Sequence, residues 1–132
     1  MNCLLDTHAF FWSVFDPTLL GKKAAQIICN PDNKVSVSVI TFWEISLKYS
    51  IGKLELKNVL PDDFPQIATQ SGFEILSITA AEASSFYRLP RLKHKDPFDR
   101  LIVWQAIAQK RVLISKDSTL EAYRSGGLKI AW

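Results

Sequence analysis

An α/β domain built on a mostly parallel sheet is the fold class this sequence predicts, and three observations carry it. Short apolar or β-branched runs alternate with segments of helical periodicity along the whole chain. Strand passes into helix at several points with almost no loop, as in the right-handed crossover units of parallel sheets. At 132 residues, 48% of them hydrophobic, the chain has the size of a single domain, 1–132, and enough apolar material for a core covered by helices on both sheet faces.

Asn2 to Leu5 is a short buried strand, and Thr7 to Phe15 a helix closed by the turn signal Asp16-Pro17. Lys22 to Cys29 is a second helix. "KVSVSV" from Lys34 to Val39 alternates with β-branched residues, the pattern of a strand, and Thr41 to Ile51 then has helical spacing. After the turn at Gly52 come a helix around Asp62 to Gln70, the strand "FEILSI" from Phe73 to Ile78, and a helix from Thr79 to Arg88 opened by a capping box, Thr79 with Glu82. The loop "LPRLKHKD" leads to a long helix, Pro97 to Lys110. The strand "VLIS", a helical turn around Thr119 to Tyr123 and the final strand "LKIAW" complete a sheet of roughly five strands. No repeat, linker or low-complexity tract interrupts the order.

The 16 Lys and Arg against 13 Asp and Glu leave a net charge of +3, compatible with a nucleic-acid partner but not diagnostic of one. Cys3 and Cys29 show no metal or redox spacing and are expected to be reduced core residues of an intracellular protein. No signal-like segment or membrane-length apolar run is present, so a cytoplasmic location without membrane attachment is expected.

In parallel sheets the ligand site lies outside the carboxyl ends of the strands. Asp6 and Asp117 each end a strand there, and Glu44 lies in the first turn of a helix that begins at that edge. Asp99 lies near the start of the helix that runs antiparallel to the strand after it, which returns that start to the same edge. Each acid also has a purely structural explanation. Asp6 and Asp117 suit helix caps, Glu44 an i,i+4 pair with Lys48, and Asp96-Pro97 with Asp99 a cap, an N1 proline and an acidic N3. None of these explains why four acids converge. Two carboxylates about 4 Å apart repel by about 4 kcal/mol at an effective dielectric of ~20, so the cluster calls for a cation. All-oxygen ligands favour Mg²⁺ or Mn²⁺, and such a metal suits hydrolysis of a phosphodiester.

The blocks "LLDTHAFFW", "SVITFWEISLKYSIGKLEL", "HKDPFDRLIVWQAIA", "LISKD" and "LKIAW" together resemble the PIN-domain ribonucleases, and within them the VapC-type toxins of toxin-antitoxin pairs. The resemblance implies a PIN-like three-layer α/β/α sandwich. It places the family's four acids on Asp6, Glu44, Asp99 and Asp117. It further implies Mg²⁺-dependent cleavage of RNA (tRNA, rRNA or mRNA), a homodimer, and inhibition by a cognate antitoxin. Asp96, in the recurring "DPFD" block, is expected to cap and to orient the ligands, while Thr7 and Ser115 are placed to hydrogen-bond them.

An anionic site needs basic surroundings to hold RNA, and Lys48, Arg91, Lys93, Lys95 and Arg100 are the expected rim, with His94 in the same run. His8 is read as helping to begin the first helix rather than as a ligand, and Phe10, Phe11 and Trp12 as core or dimer surface. Trp104 stands where the VapC-type subgroup more usually has a small residue; packing is its expected role. Two other functions compete. One is an inert PIN module that binds RNA or protein, against which the four acids count. The other is a Mg²⁺-binding phosphoacceptor domain, for which Lys116 is suggestive but "FEILSI", taken as the middle strand, ends without an acid.

Overall fold

The first strand, β1 (Asn2–Leu5), occupies the middle of the sheet in a computed structural model that describes all 132 residues. β2 (Lys34–Ser38) and β4 (Val112–Ile114) flank it, and β3 (Glu74–Leu76) and β5 (Lys129–Ala131) form the edges. The order is β3-β2-β1-β4-β5, and every pairing is parallel. The chain thus winds outward from β1 to β3, then returns across β1 to begin β4. That reversal opens a crevice at the carboxyl ends of β1 and β4, the place where doubly wound sheets receive ligands.

Side-chain alternation along β1 sends Cys3 and Leu5 to one face and Leu4 to the other, and each face carries its own core. On the first face α1 (Thr7–Phe15), α2 (Lys22–Cys29) and α4 (Phe64–Gln70) contribute Phe10, Ile27 and Phe64. On the second, α6 (Pro97–Ala108) contributes Ile102, Val103 and Ala106 against Leu4 and Leu113. The helix α3 (Val39–Ser50) serves both, with Ile45 on one side and Ile40 on the other. The three layers are those the resemblance implies.

Most elements fall where the pattern places them, and α1 and α2 match to the residue. The expected helix Thr79 to Arg88 is α5 (Ala80–Ser85) followed by a 3₁₀ turn, Phe86–Arg88, and its capping box forms in both directions. The expected strand "FEILSI" pairs over only three residues, because β3 is an edge strand with a partner on one side and Glu74 and Ile75 face solvent. β1, not β3, is therefore the central strand. The "LKIAW" strand contracts to β5, and the helical turn near Thr119 is a longer 3₁₀ run, Ser118–Gly126, ended by Gly127 at φ +101.

Cys3 is buried as expected, but Cys29 is exposed. It follows the buried Ile27 by two positions on α2, a rotation of about 200°, so it falls on the solvent side. Trp104 does pack: its ring lies against the second core and its Nε1–H donates to Ser85 Oγ at 3.1 Å. No helix is long and apolar enough to cross a membrane.

Candidate metal centre

Asp6 leaves the end of β1 and caps α1, with its Oδ1 accepting the Ala9 N–H at 2.8 Å. The cap and the expected ligand are one residue, so its structural reading and its chemical one do not exclude each other. Burial pushes the Asp6 carboxyl above the ordinary range. Hydrogen bonding from Ser115 and Ala9 and the proximity of His8 act in the opposite direction, and the charge of Asp117 adds to the rise.

Glu44 comes from the second turn of α3 and is 2% exposed. Its Oε1 accepts the Thr7 hydroxyl at 2.7 Å, and its Oε2 pairs with the Lys48 ammonium one turn later. The i,i+4 pair expected of these two residues is therefore real, but it lies in the site wall and not on an exposed face. Burial works to lower the Lys48 ammonium, yet the bond and charge of Glu44, helped by Asp96 and Asp99, hold it above its usual value.

Asp99 stands in the first turn of α6, at the carboxyl edge. Asp96 caps that helix through bonds from the N–H groups of Phe98 at 2.9 Å and Asp99 at 3.3 Å. Asp99 is pushed up to about 6, first by burial and then by the charges of Asp96 and Glu44, with a smaller contribution from Asp6; a hydrogen bond from His94 offsets part of this. Asp117, just past β4, caps the 3₁₀ run through Thr119, whose N–H and hydroxyl donate to its Oδ1 at 2.9 and 2.6 Å. Ser115 accepts the Asp117 N–H at 3.1 Å.

Two three-residue groups have ligand atoms within 4.8 Å of one another: Glu44, Asp96 and Asp99 in one, His94, Asp99 and Asp117 in the other. Asp99 belongs to both. Asp6 belongs to neither, but lines with Asp99 and Asp117 an open cleft of about 270 Å³, whose other walls are His8, Trp12 and Lys116. All four expected acids thus meet at one edge, with Asp96 closer to the others than its capping role requires. Buried and half-buried carboxylates gathered at one sheet edge, with ligand atoms this close to one another, are a donor set for a hard divalent cation. On the Glu44 side the chain itself offers them the Lys48 ammonium, the Thr7 hydroxyl and the backbone N–H groups that bond Asp96.

Of the basic residues, Arg91, Lys93 and Lys95 are exposed on the loop before α6, and that loop walls a broad hollow with Thr119 and Ala122. Arg100 is placed differently: its guanidinium donates to the Leu89 and Pro90 carbonyls at 3.2 and 3.4 Å and lies over the Phe86 ring, anchoring the loop from beneath. His8 is exposed beside Trp12, and Trp12 is itself a cleft wall, not a core residue, while Phe10 is fully buried. Lys116 sits over the Trp12 ring, 5.7 Å from its centre.

Residue types alone did not single out His94, which reads as one more cation in "KHK". Its Nε2 lies 3.0 Å from Asp99 Oδ2, and its Nδ1 3.2 Å from Thr119 Oγ1 and 3.5 Å from Asp117 Oδ2. The objection to a phosphoacceptor domain also changes, since the central strand does end in an acid, Asp6. Against that reading stands instead the burial of Asp6 and the engagement of Lys116 with Trp12.

The PIN domain model matches residues 3–125, which is nearly the whole chain. No curated protein matches the sequence. Among solved structures, VapBC2 from Rickettsia felis, bound to a DNA fragment from their promoter, is similar with a TM-score of 0.69 at 16% identity, over 99% of this chain and 98% of that one. VapBC-1 from nontypeable Haemophilus influenzae gives 0.60 at 18%, over 99% and 97%, and VapBC-5 from Mycobacterium tuberculosis 0.58 at 17%, over 98% and 95%. These identities speak for a shared fold. With the family match over the fold and its acidic edge, the chain belongs to the PIN-domain family.

Proposed function

We propose that this protein is a metal-dependent endoribonuclease, the toxin of a toxin-antitoxin pair, with Asp6, Glu44, Asp99 and Asp117 as the residues that hold Mg²⁺ or Mn²⁺. The observation that carries the reading is Asp99, shared by two acidic groups and held near 6 by burial and by its neighbours' charge. A carboxyl so placed releases its proton readily to a cation and is poorly accommodated as a bare anion. PIN domains are generally nucleases, and the similar structures named above are toxin-antitoxin complexes.

A divalent cation bound here supplies charge stabilisation at phosphorus and a water of lowered pKa. The chain supplies the rest. Thr7 holds Glu44 in one rotamer, the Ala9 N–H and Ser115 hold Asp6, and Asp96 fixes the start of α6 so that Asp99 faces the cleft. Arg91, Lys93 and Lys95 lie beside the cleft on an exposed loop, suited to phosphate contacts that position a strand without reading its bases. Trp12 presents an aromatic wall for an unpaired base. On the exposed side of α3, Trp43, Leu47 and Ile51 follow one another at helical spacing, an apolar stripe suited to a second copy of the chain or to an antitoxin.

Purified protein freed of any antitoxin is to be incubated with total cellular RNA, with Mg²⁺ or with EDTA. Cleavage in Mg²⁺ that disappears in EDTA and in the variants Asp6→Asn and Asp99→Asn is expected. Cleavage that survives either treatment sinks the mechanism.

A further inference from the structure

The Thr119 hydroxyl has one hydrogen, and its 2.6 Å contact with the acceptor-only Asp117 carboxylate uses it. Thr119 therefore accepts from His94 at 3.2 Å, which fixes the proton on Nδ1. Nε2, on the other side of the ring, faces Asp99 Oδ2 at 3.0 Å. A ring nitrogen and a carboxylate oxygen at that distance are bridged either by a proton or by a metal ion. Two donors at right angles on an octahedral ion, each about 2.1 Å from it, stand about 3.0 Å apart. Nδ1 bonded onward toward Thr119 and a carboxylate is also how metal-bound histidines are commonly oriented.

From this geometry we infer that His94 is a nitrogen ligand of the metal centre, completing with Asp99 and Asp117 a mixed nitrogen and oxygen position. The inference rests on the metal-site reading above and goes beyond its all-carboxylate donor set. Imidazole is a poor partner for Mg²⁺ and a good one for first-row transition ions, so His94 biases the site toward the latter. His94 also belongs to the loop of Arg91, Lys93 and Lys95, so its ligation ties the basic rim to the loaded site.

The test uses Mn²⁺ as the probe. Electron spin echo modulation of the Mn²⁺-loaded full chain is expected to show a ¹⁴N coupling that is lost in His94→Ala and His94→Gln and kept in His8→Ala; His8 and His94 are the only histidines. Calorimetry is expected to give a fall of about tenfold in Mn²⁺ affinity for His94→Ala, with Mg²⁺ affinity changed less than threefold. A loaded wild-type protein without nitrogen coupling overturns the inference whether or not the variants fold, and so does a coupling that His94→Ala retains. The wider reading is tested apart by Asp99→Asn: loss of Mn²⁺ binding there leaves it standing even where His94 fails, and unchanged binding overturns both.

Discussion

The two sides of Asp99 deal with negative charge in different ways. On one, Glu44 is almost fully buried and is answered within its own helix by Lys48 and across the site by Thr7. On the other, Asp117 is half-buried, and its partners Thr119 and His94 come from an exposed turn and a surface loop. The first side is built into the packed domain, and the second is assembled from segments with little of the core behind them. Stability therefore depends more on the Glu44 side, and ligand exchange more on the Asp117 side.

The sharpest way to break this contrast is Lys48→Met. It leaves Glu44 buried with only a hydroxyl for a partner. Removing one member of a buried pair costs about 3–5 kcal/mol, and the half-exposed position of Lys48 reduces that to about 2–3 kcal/mol. Urea unfolding in EDTA is expected to show this loss, and the double variant Lys48→Met with Glu44→Gln to recover most of it. A single variant as stable as wild type means that Glu44 is neutralised some other way.

Protonation of Asp99 gives the next largest effect. Its folded value of about 6 lies above the 3.8 of the unfolded chain, so between those values the folded state binds the extra proton. Stability from this residue is thus present below pH 4 and is lost as pH rises through about 6, a change of about 3 kcal/mol for the metal-free protein before solvent screening of the 26% exposed side chain brings it to about 2 kcal/mol. Asp99→Asn removes this contribution, and the difference in unfolding free energy between wild type and variant from pH 4 to 7 isolates it. Added Mn²⁺ is expected to reverse the slope for wild type only.

The rim comes third. Replacing Arg91, Lys93 and Lys95 together with Ala is expected to weaken binding of single-stranded RNA about tenfold at moderate salt. It should also flatten the dependence of log affinity on log salt by as much as about 2. Measured in EDTA, the result separates RNA binding from cleavage; an unchanged slope moves the RNA path elsewhere.

How much of this the sequence disclosed follows the range of the interactions involved. Short-range signals were legible: Asp6 as a cap, Asp16-Pro17 as a stop and Thr79 with Glu82 as a capping box all stand where the pattern places them. Convergence of four acids was legible too, because the carboxyl-edge rule turns element order into position without any contact being known. Partner choice was not. Arg100 carries the same charge as Lys93 in the sequence, yet it is held by backbone carbonyls through contacts that only the packing of α6 creates, whereas the i,i+4 pair of Lys48 with Glu44 was legible and only its burial in the site wall was not. His94 was hidden for the same reason: its partner Asp99 is five positions on, but Thr119 is twenty-five, and only the tertiary fold brings them to one ring.

Thr119→Val is the smallest perturbation and the one aimed most directly at the open side. The Thr119 N–H bond to Asp117 survives, so the 3₁₀ run keeps its cap, and an exposed hydroxyl contributes little to folding. A stability change under about 0.5 kcal/mol is expected. What the variant removes is the acceptor that holds His94 in one tautomer and the donor that fixes Asp117. Mn²⁺ affinity is expected to fall by up to about tenfold, the low end of what loss of a bond behind a metal ligand costs. Lost stability without lost affinity would reverse the roles of the two sides, because the open one would then be supporting the fold and not the ion.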